Sequence, residues 1–157
     1  MRRIISLIGS VAAFAIIAQV AFAADIASVV NNPPATPKFS LIHVKDLASL
    51  MTNPDSHVRI YDANVQGVRD SQGMIPGARA LTSDDNYSIA TELPSNKQAT
   101  LVFYCANTQC MASHEAAERA VDAGYDNVSV MADGIAGWRA AGKPVEMPDG
   151  SSAGSGS

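Results

Sequence analysis

The stretch TLVFYC, residues 100–105, decides the fold. Its apolar, β-branched and aromatic residues predict a short strand buried on both faces, as in the middle of a parallel sheet. Polar residues 106–111 predict a loop, and a helical pattern begins at Ala112. Cys105 is therefore expected at the carboxyl end of a central strand, where open α/β sheets hold their ligands. Backbone N–H groups and the helix dipole should face its sulfur, lower its pKa and favour the reactive thiolate.

Strand and helix patterns alternate on both sides of this stretch. Besides residues 100–104, strands are predicted at residues 39–42, 59–61, 78–81 and 128–131. Helices are predicted at residues 44–51, 112–123 and 135–141, the last two closed by Gly124 and Gly142. Short links between these elements predict an α/β fold with a central parallel β-sheet of about five strands flanked by helices on both faces.

The two ends of the chain differ from this pattern. Arg2 and Arg3, the apolar residues 4–22 and a small-x-small triplet ending at Ala23 predict a cleaved signal peptide over residues 1–23. A membrane anchor is the alternative, because the apolar run is nearly long enough to span a bilayer. Proline-containing residues 24–38 predict a disordered lead-in, and Gly- and Ser-rich residues 149–157 predict a flexible tail. One domain is expected between them, at residues 39–148.

Localisation and charge limit the kinds of partner expected for the protein. The signal peptide predicts export to a periplasm by the Sec route. Because the sequence has no second long apolar segment, we expect no stable membrane insertion after cleavage. Removal of residues 1–23 from the 157 takes away two of the 11 basic residues and none of the 15 acidic ones, which leaves 134 residues and a net charge of −6. This mild acidity argues against nucleic acid or an anionic membrane as partner.

Five short motifs in chain order carry a family resemblance. They are RIYDAN at 59–64, GMIPGA at 73–78, VFYC at 102–105, AGYDNV at 123–128 and DGIAGW at 133–138. Together they resemble a single-domain rhodanese, a rhodanese-like sulfurtransferase, here in an exported variant. The resemblance covers essentially the whole predicted domain.

The resemblance implies covalent catalysis by a persulfide on Cys105. The thiolate would take the outer sulfur of thiosulfate or of another small sulfane-sulfur anion, and then pass it to a thiol, to cyanide or to a periplasmic protein partner. No metal and no organic cofactor is implied. The backbone N–H groups of a loop around the sulfur would stabilise the charged forms; that loop consists of Ala106, Asn107, Thr108, Gln109, Cys110 and Met111.

Two further residues are candidates for supporting roles. Asp62 ends a strand on the crevice side, where it could hydrogen-bond to the loop; the alternative is a structural turn acid. Arg69 could supply positive charge to an anionic donor; the alternative is a solvated surface arginine. His114, one turn into the helix after the loop, is interpreted as a surface residue.

One departure from the family pattern affects the donor. Many active members carry Arg or Lys five residues after the cysteine, where this chain has Cys110. The absence of that cation predicts a different donor, or a narrower range of donors, than a typical thiosulfate sulfurtransferase has.

Three other functions stay open at this point. Cys105 and Cys110 could form a disulfide, either structural or part of a thiol–disulfide redox cycle in which one cysteine resolves the other. The domain could also be a catalytically inactive binding module. A phosphatase is the third hypothesis, but it would need Arg six residues after the cysteine to bind the phosphate. This chain has Met111 at that position, which argues against phosphatase activity.

Overall fold

The architecture is set by five parallel strands. The computed structural model describes residues 38–148. The strands are β1 (Ser40–Ile42), β2 (Arg59–Asp62), β3 (Arg79–Ala80), β4 (Leu101–Tyr104) and β5 (Val128–Met131). They form one sheet in the order β1-β5-β4-β2-β3, with all pairs parallel. The predicted central strand is thus confirmed, since β4 lies between β5 and β2.

The helices follow the strands closely. They are α1 (Val44–Thr52), α2 (Gln66–Gln72), α3 (Ile89–Glu92), α4 (Ala112–Asp122) and α5 (Gly134–Ala140), with a 3-10 turn at Pro54–Ser56. The sequence predicted α1, α4 and α5. It missed α2, α3 and the 3-10 turn, because these short segments show no apolar periodicity. α5 is as short as α2, but Gly142 marks its end in the sequence.

Side chains of β4 alternate between two cores. Leu101 and Phe103 face one core, which contains the alanines of α4. Val102 and Tyr104 face the other, which contains Leu47 of α1 and the buried side chains of α5. All four β4 residues are buried. The predicted α/β fold with helices on both faces is therefore confirmed, and continued alternation turns Cys105 toward α4.

Boundaries shift by a residue or two. The strand predicted at residues 78–81 contains only Arg79 and Ala80. Gly124 and Gly142 have φ values of 89° and 68°, as expected of residues that end helices in the left-handed conformation. Trp138 is buried and donates from Nε1 to the carbonyl oxygen of Pro144 at 2.7 Å.

Several predictions fall outside the described residues. These are the signal peptide at residues 1–23, the lead-in as far as residue 37 and the tail at residues 149–157. Within residues 38–148, the structure contains no helix with the length and apolar character needed to cross a membrane.

Candidate active site

Cys105 directly follows β4 and lies under the loop that leads to α4. The residue is only 2% exposed. The Ser113 hydroxyl donates to its Sγ at 3.2 Å, and the Cys105 thiol donates to the carbonyl oxygen of Cys110 at 3.2 Å. The sulfur is therefore held between the first turn of α4 and the end of the loop.

These surroundings favour the neutral thiol. Burial, and after it the adjoining Cys110 side chain, raise the pKa of Cys105 to about 11. The hydroxyl and the backbone N–H of Ser113 act in the opposite direction but do not overcome the burial. This conformation thus does not favour the predicted thiolate at neutral pH, because burial removes water from a charged sulfur and the thiol faces the carbonyl oxygen of Cys110.

The loop uses part of its own hydrogen-bonding capacity internally. The N–H of Gln109 donates to Oδ1 of Asn107 at 2.9 Å, and the N–H of Cys110 donates to the Asn107 carbonyl at 3.1 Å. The expected cradle of inward amides is therefore not formed at Gln109 and Cys110. The amide that acts on the sulfur is that of Ser113, in the first turn of the following helix.

The start of α5 fixes the backbone at the other end of the loop. The N–H groups of Ile135 and Ala136 donate to the carbonyl oxygens of Cys105 and Ala106 at 2.8 and 3.0 Å. Gly134 has a φ of 63°, and a Cβ there would lie 2.5 Å from the backbone nitrogen of Asn107. Only glycine allows α5 to approach the loop this closely. The first N–H groups of α5 thus bind the backbone at Cys105, whereas Ser113 of α4 donates a hydrogen bond to its sulfur.

Comparison with known proteins identifies the family of this domain. The model of the Rhodanese-like domain family matches residues 43–141, nearly two thirds of the chain. This chain belongs to the rhodanese-like domain family.

Solved structures of three bacterial proteins have the same fold as this rhodanese-like chain. The rhodanese-like domain of an Anabaena protein is 22% identical, covering 78% of this chain and 89% of its own, with a TM-score of 0.57. The polysulfide-sulfur transferase homodimer of Wolinella succinogenes is 12% identical over 84% and 94%, with a TM-score of 0.61. A Rhodopseudomonas palustris protein, described as a possible tyrosine phosphatase, is 21% identical over 87% and 100%, with a TM-score of 0.56. At these identities the likeness concerns the fold alone.

Asp62 is fully buried and belongs to a hydrogen-bond network behind the site. Its carboxylate accepts from the Tyr104 hydroxyl at 2.6 Å and from the Asn64 N–H at 2.7 Å. The Tyr104 oxygen in turn accepts from the N–H of Ile75 at 3.1 Å. Asp62 has no hydrogen bond to residues 106–111 within the described part of the chain, so its role here is the structural one.

Arg69 is the partner of that carboxylate. Its Nε lies 3.6 Å from Oδ1 of Asp62, and Nη2 donates to the carbonyl oxygens of Asn64 and Leu81. Arg69 is only 8% exposed. Both sequence interpretations are corrected: Arg69 is not a solvated surface residue, and its charge offsets that of Asp62 instead of reaching the sulfur.

Sequence reasoning missed Ser113. Its only signal was a small hydroxyl residue in the first turn of the helix after the loop, a position that faces back toward the strand end. His114, beside it, is half-buried and packs edge-on against Phe39, with ring centroids 5.5 Å apart. That contact replaces the predicted surface position, and no hydrogen bond joins His114 to Cys105 among the described residues.

Metal ligands show no grouping in the part of the chain that the structure describes. Between residues 38 and 148, no three His, Cys, Asp or Glu side chains are arranged so as to hold a metal ion.

Proposed function

We propose that this protein is a sulfurtransferase or sulfur carrier that forms a persulfide on Cys105. The observation that carries the proposal is the hydrogen bond of the Ser113 hydroxyl, at 3.2 Å, to a cysteine at the end of the central strand of a rhodanese-like domain. A structural neighbour described as a polysulfide-sulfur transferase supports the same chemistry.

The loading reaction is a displacement at sulfur. The Cys105 thiol loses its proton to solvent, and the thiolate attacks the outer sulfur of the donor. The sulfur–sulfur bond of the donor breaks, and its remainder leaves with the bonding electron pair; from thiosulfate the leaving group is sulfite. A thiol or cyanide then attacks the outer sulfur of the persulfide and regenerates the Cys105 thiolate.

Loading requires the loop to change conformation. Cys105 is nearly inaccessible, and its thiol donates to the Cys110 carbonyl. Loss of the proton breaks that hydrogen bond and sets a negative sulfur against a carbonyl dipole, which drives the Cys110 peptide away. Thr108 and Gln109, the residues before Cys110, are exposed, so no buried packing of their side chains opposes this movement.

The charge of the site favours a donor less anionic than thiosulfate. Residues 106–111 contain no Lys or Arg, and the guanidinium group of Arg69 is paired with the Asp62 carboxylate. A thiosulfate dianion would therefore find little compensation for its lost hydration. We propose an organic sulfane-sulfur compound as the better donor, with thiosulfate a poor one.

A phosphatase reaction does not suit the same loop. Met111 occupies the position at which a bidentate Arg would have to bind the phosphate, and its side chain is exposed. The description of the Rhodopseudomonas palustris neighbour therefore has no counterpart in the residues of this site.

Intact-protein mass spectrometry tests the proposal. Reduced Cys110→Ser protein is incubated without oxygen with benzenethiosulfonate or with thiosulfate, and then with cyanide. We expect a gain of one sulfur atom that cyanide removes, faster with benzenethiosulfonate. The matched control is the Cys105→Ser, Cys110→Ser double variant, which should gain none. Absence of sulfur uptake by the folded single variant with either donor would overturn the proposal.

We also propose that the protein works in a periplasm, with a thiol compound or a periplasmic protein as acceptor. The amino-terminal pattern of residues 1–23 supports export. Expression of the full chain in a Gram-negative host followed by mass analysis of the periplasmic fraction should give a protein that begins at Ala24. Recovery of the uncleaved chain in the membrane fraction would support the anchor instead.

A further inference from the structure

The two cysteines of the described chain meet in one loop. A hydrogen bond from the Cys110 N–H to the Asn107 carbonyl closes a turn and brings residue 110 back toward the end of β4. The carbonyl oxygen of Cys110 then lies 3.2 Å from Sγ of Cys105. The Cys110 side chain is half-buried and packs against the same core as Cys105.

The Cys110 side chain also affects the Cys105 thiol, whose pKa it raises in addition to the larger effect of burial. Both cysteines are free thiols. Cys110 is thus a nucleophile beside the sulfur that the proposed function loads, on a loop whose movement that loading requires.

We propose that Cys110 is an internal acceptor, which attacks the loaded Cys105, releases hydrogen sulfide and leaves a Cys105–Cys110 disulfide. This inference rests on the proposed persulfide function. It assigns the protein a further activity, in which sulfane sulfur is reduced to sulfide at the expense of two protein thiols. A dithiol reductant must then restore the two thiols by thiol–disulfide exchange.

The atoms and electrons of the step balance. The Cys110 thiol loses its proton, and its sulfur forms a bond to Sγ of Cys105. The bond between Sγ and the outer sulfur breaks, and the outer sulfur leaves with the electron pair as hydrosulfide, which takes up the proton of Cys110 according to pH. The outer sulfur is reduced, and the two cysteines are oxidised to the disulfide.

Attack at Sγ is favoured over attack at the outer sulfur by the leaving groups. Attack at the outer sulfur would expel the Cys105 thiolate, the conjugate base of an alkyl thiol. Attack at Sγ expels hydrosulfide, the conjugate base of an acid stronger than an alkyl thiol, and a weaker base leaves faster. Sγ is also the sulfur that Cys110 already adjoins.

The experiment compares the wild-type chain with Cys110→Ser and Cys110→Ala. Each reduced protein is treated with benzenethiosulfonate without oxygen, because this donor releases a sulfinate and no sulfide of its own. Intact mass and free sulfide are followed together, and far-ultraviolet circular dichroism checks that each variant is folded. Wild-type protein held without donor corrects for adventitious oxidation.

We expect the wild type to lose two hydrogen atoms in mass and to release sulfide in a stoichiometric amount. Both Cys110 variants should instead gain one sulfur atom, keep it until cyanide is added and release no sulfide. Dithiothreitol should return the wild type to its starting mass for a second round of sulfide release.

The other outcomes separate the two proposals. A wild type that keeps one added sulfur atom and releases no sulfide overturns the internal acceptor but leaves the proposed function intact. Folded Cys110 variants that take up no sulfur overturn the proposed function and the inference together. A wild type that becomes a disulfide without sulfide release points to direct oxidation of the thiol pair and also overturns the inference.

Discussion

A single thiol shows how position and surroundings contribute separately to reactivity. Cys105 lies at a strand end and beside a helix N-terminus, as its sequence predicts, and both features are associated with a lowered pKa. Burial and the Cys110 carbonyl nevertheless hold it in the protonated form. The conformation described thus favours the neutral thiol over the thiolate.

The raised pKa of Cys105 predicts a steep pH dependence. In the Cys110→Ser variant, in which burial still raises the pKa of Cys105, alkylation of Cys105 by iodoacetamide should accelerate about tenfold per pH unit between about pH 7 and pH 9, because only the thiolate reacts. Intact mass at timed intervals gives the rates. A plateau that begins near pH 7 would instead indicate a thiolate stabilised by the closed loop.

Ser113 should control the charged form of Cys105. Replacement by Ala removes the donor 3.2 Å from Sγ, and a hydrogen bond to a charged group contributes about 1.5–3 kcal/mol. Sulfur loading of Ser113→Ala at fixed pH should therefore slow at least about tenfold, with the pH profile displaced upward. Ser71→Ala, which loses only hydrogen bonds to carbonyls within α2, is the matched control. A purely structural role for Ser113 would leave the pH profile unmoved.

At the scale of elements, the site is formed by the first turns of two helices, α4 and α5. The first turn of α4 supplies Ser113, and the first turn of α5 binds the carbonyl oxygens of Cys105 and Ala106. Gly134 allows the second contact because its missing side chain leaves room for the loop backbone.

Two glycines, one at the start of α5 and one just after its end, allow backbone strain to be distinguished from steric overlap of an added side chain. Gly134 and Gly142 have φ values of 63° and 68°, but a Cβ meets the loop backbone only at Gly134; at Gly142 it meets nothing within 4 Å. Both substitutions to Ala carry the left-handed strain of about 1 kcal/mol. Gly134→Ala should cost about 1–3 kcal/mol more, and it should also slow sulfur loading. Urea unfolding measures the difference, and equal losses for the two variants would contradict the close approach.

A second pair of variants tests the network behind the site. Tyr104→Phe removes the 2.6 Å hydrogen bond to the buried Asp62 carboxylate and leaves the Ile75 N–H without its partner, which should cost about 1–3 kcal/mol of unfolding free energy. Tyr61 is equally buried, but its hydroxyl has no hydrogen-bond partner in the part of the chain that the structure describes. Tyr61→Phe should therefore be neutral or stabilising in the same urea measurement. A larger loss for Tyr61→Phe than for Tyr104→Phe would be incompatible with this network.

For the whole molecule, burial of weak acids predicts sensitivity to alkali. Burial raises the pKa of the phenols of Tyr61, Tyr87 and Tyr104, as it does that of the Cys105 thiol. Above the unfolded pKa values, about 8.5 for Cys and about 10 for Tyr, the unfolded chain releases protons that the folded chain retains. Each rise in pH then favours unfolding.

The free energy of unfolding should accordingly be level near neutral pH and fall above about pH 9. The fluorescence of Trp138, the one tryptophan of the chain, reports urea unfolding at each pH. Tyr61→Phe, which removes one buried phenol, should make the decline shallower. A stability that rises between pH 9 and pH 11 would contradict the sign of these shifts.

The sequence by itself determined the elements whose signals are local. The buried run at residues 101–104, the helical repeat of α4 and the glycine that follows it each act through their immediate neighbours, so the parallel α/β order could be read from them. The strand-end position of Cys105 followed from the same patterns.

Only the tertiary structure decided the state of the thiol and the roles of the charged groups. The pairing of Arg69 with Asp62 depends on contacts between separate segments of the chain. The contacts of Sγ with the Cys110 carbonyl and with Ser113 depend on how the loop folds. Burial changes the cost of charge, and burial is a property of the packed molecule, which no local pattern of residues contains.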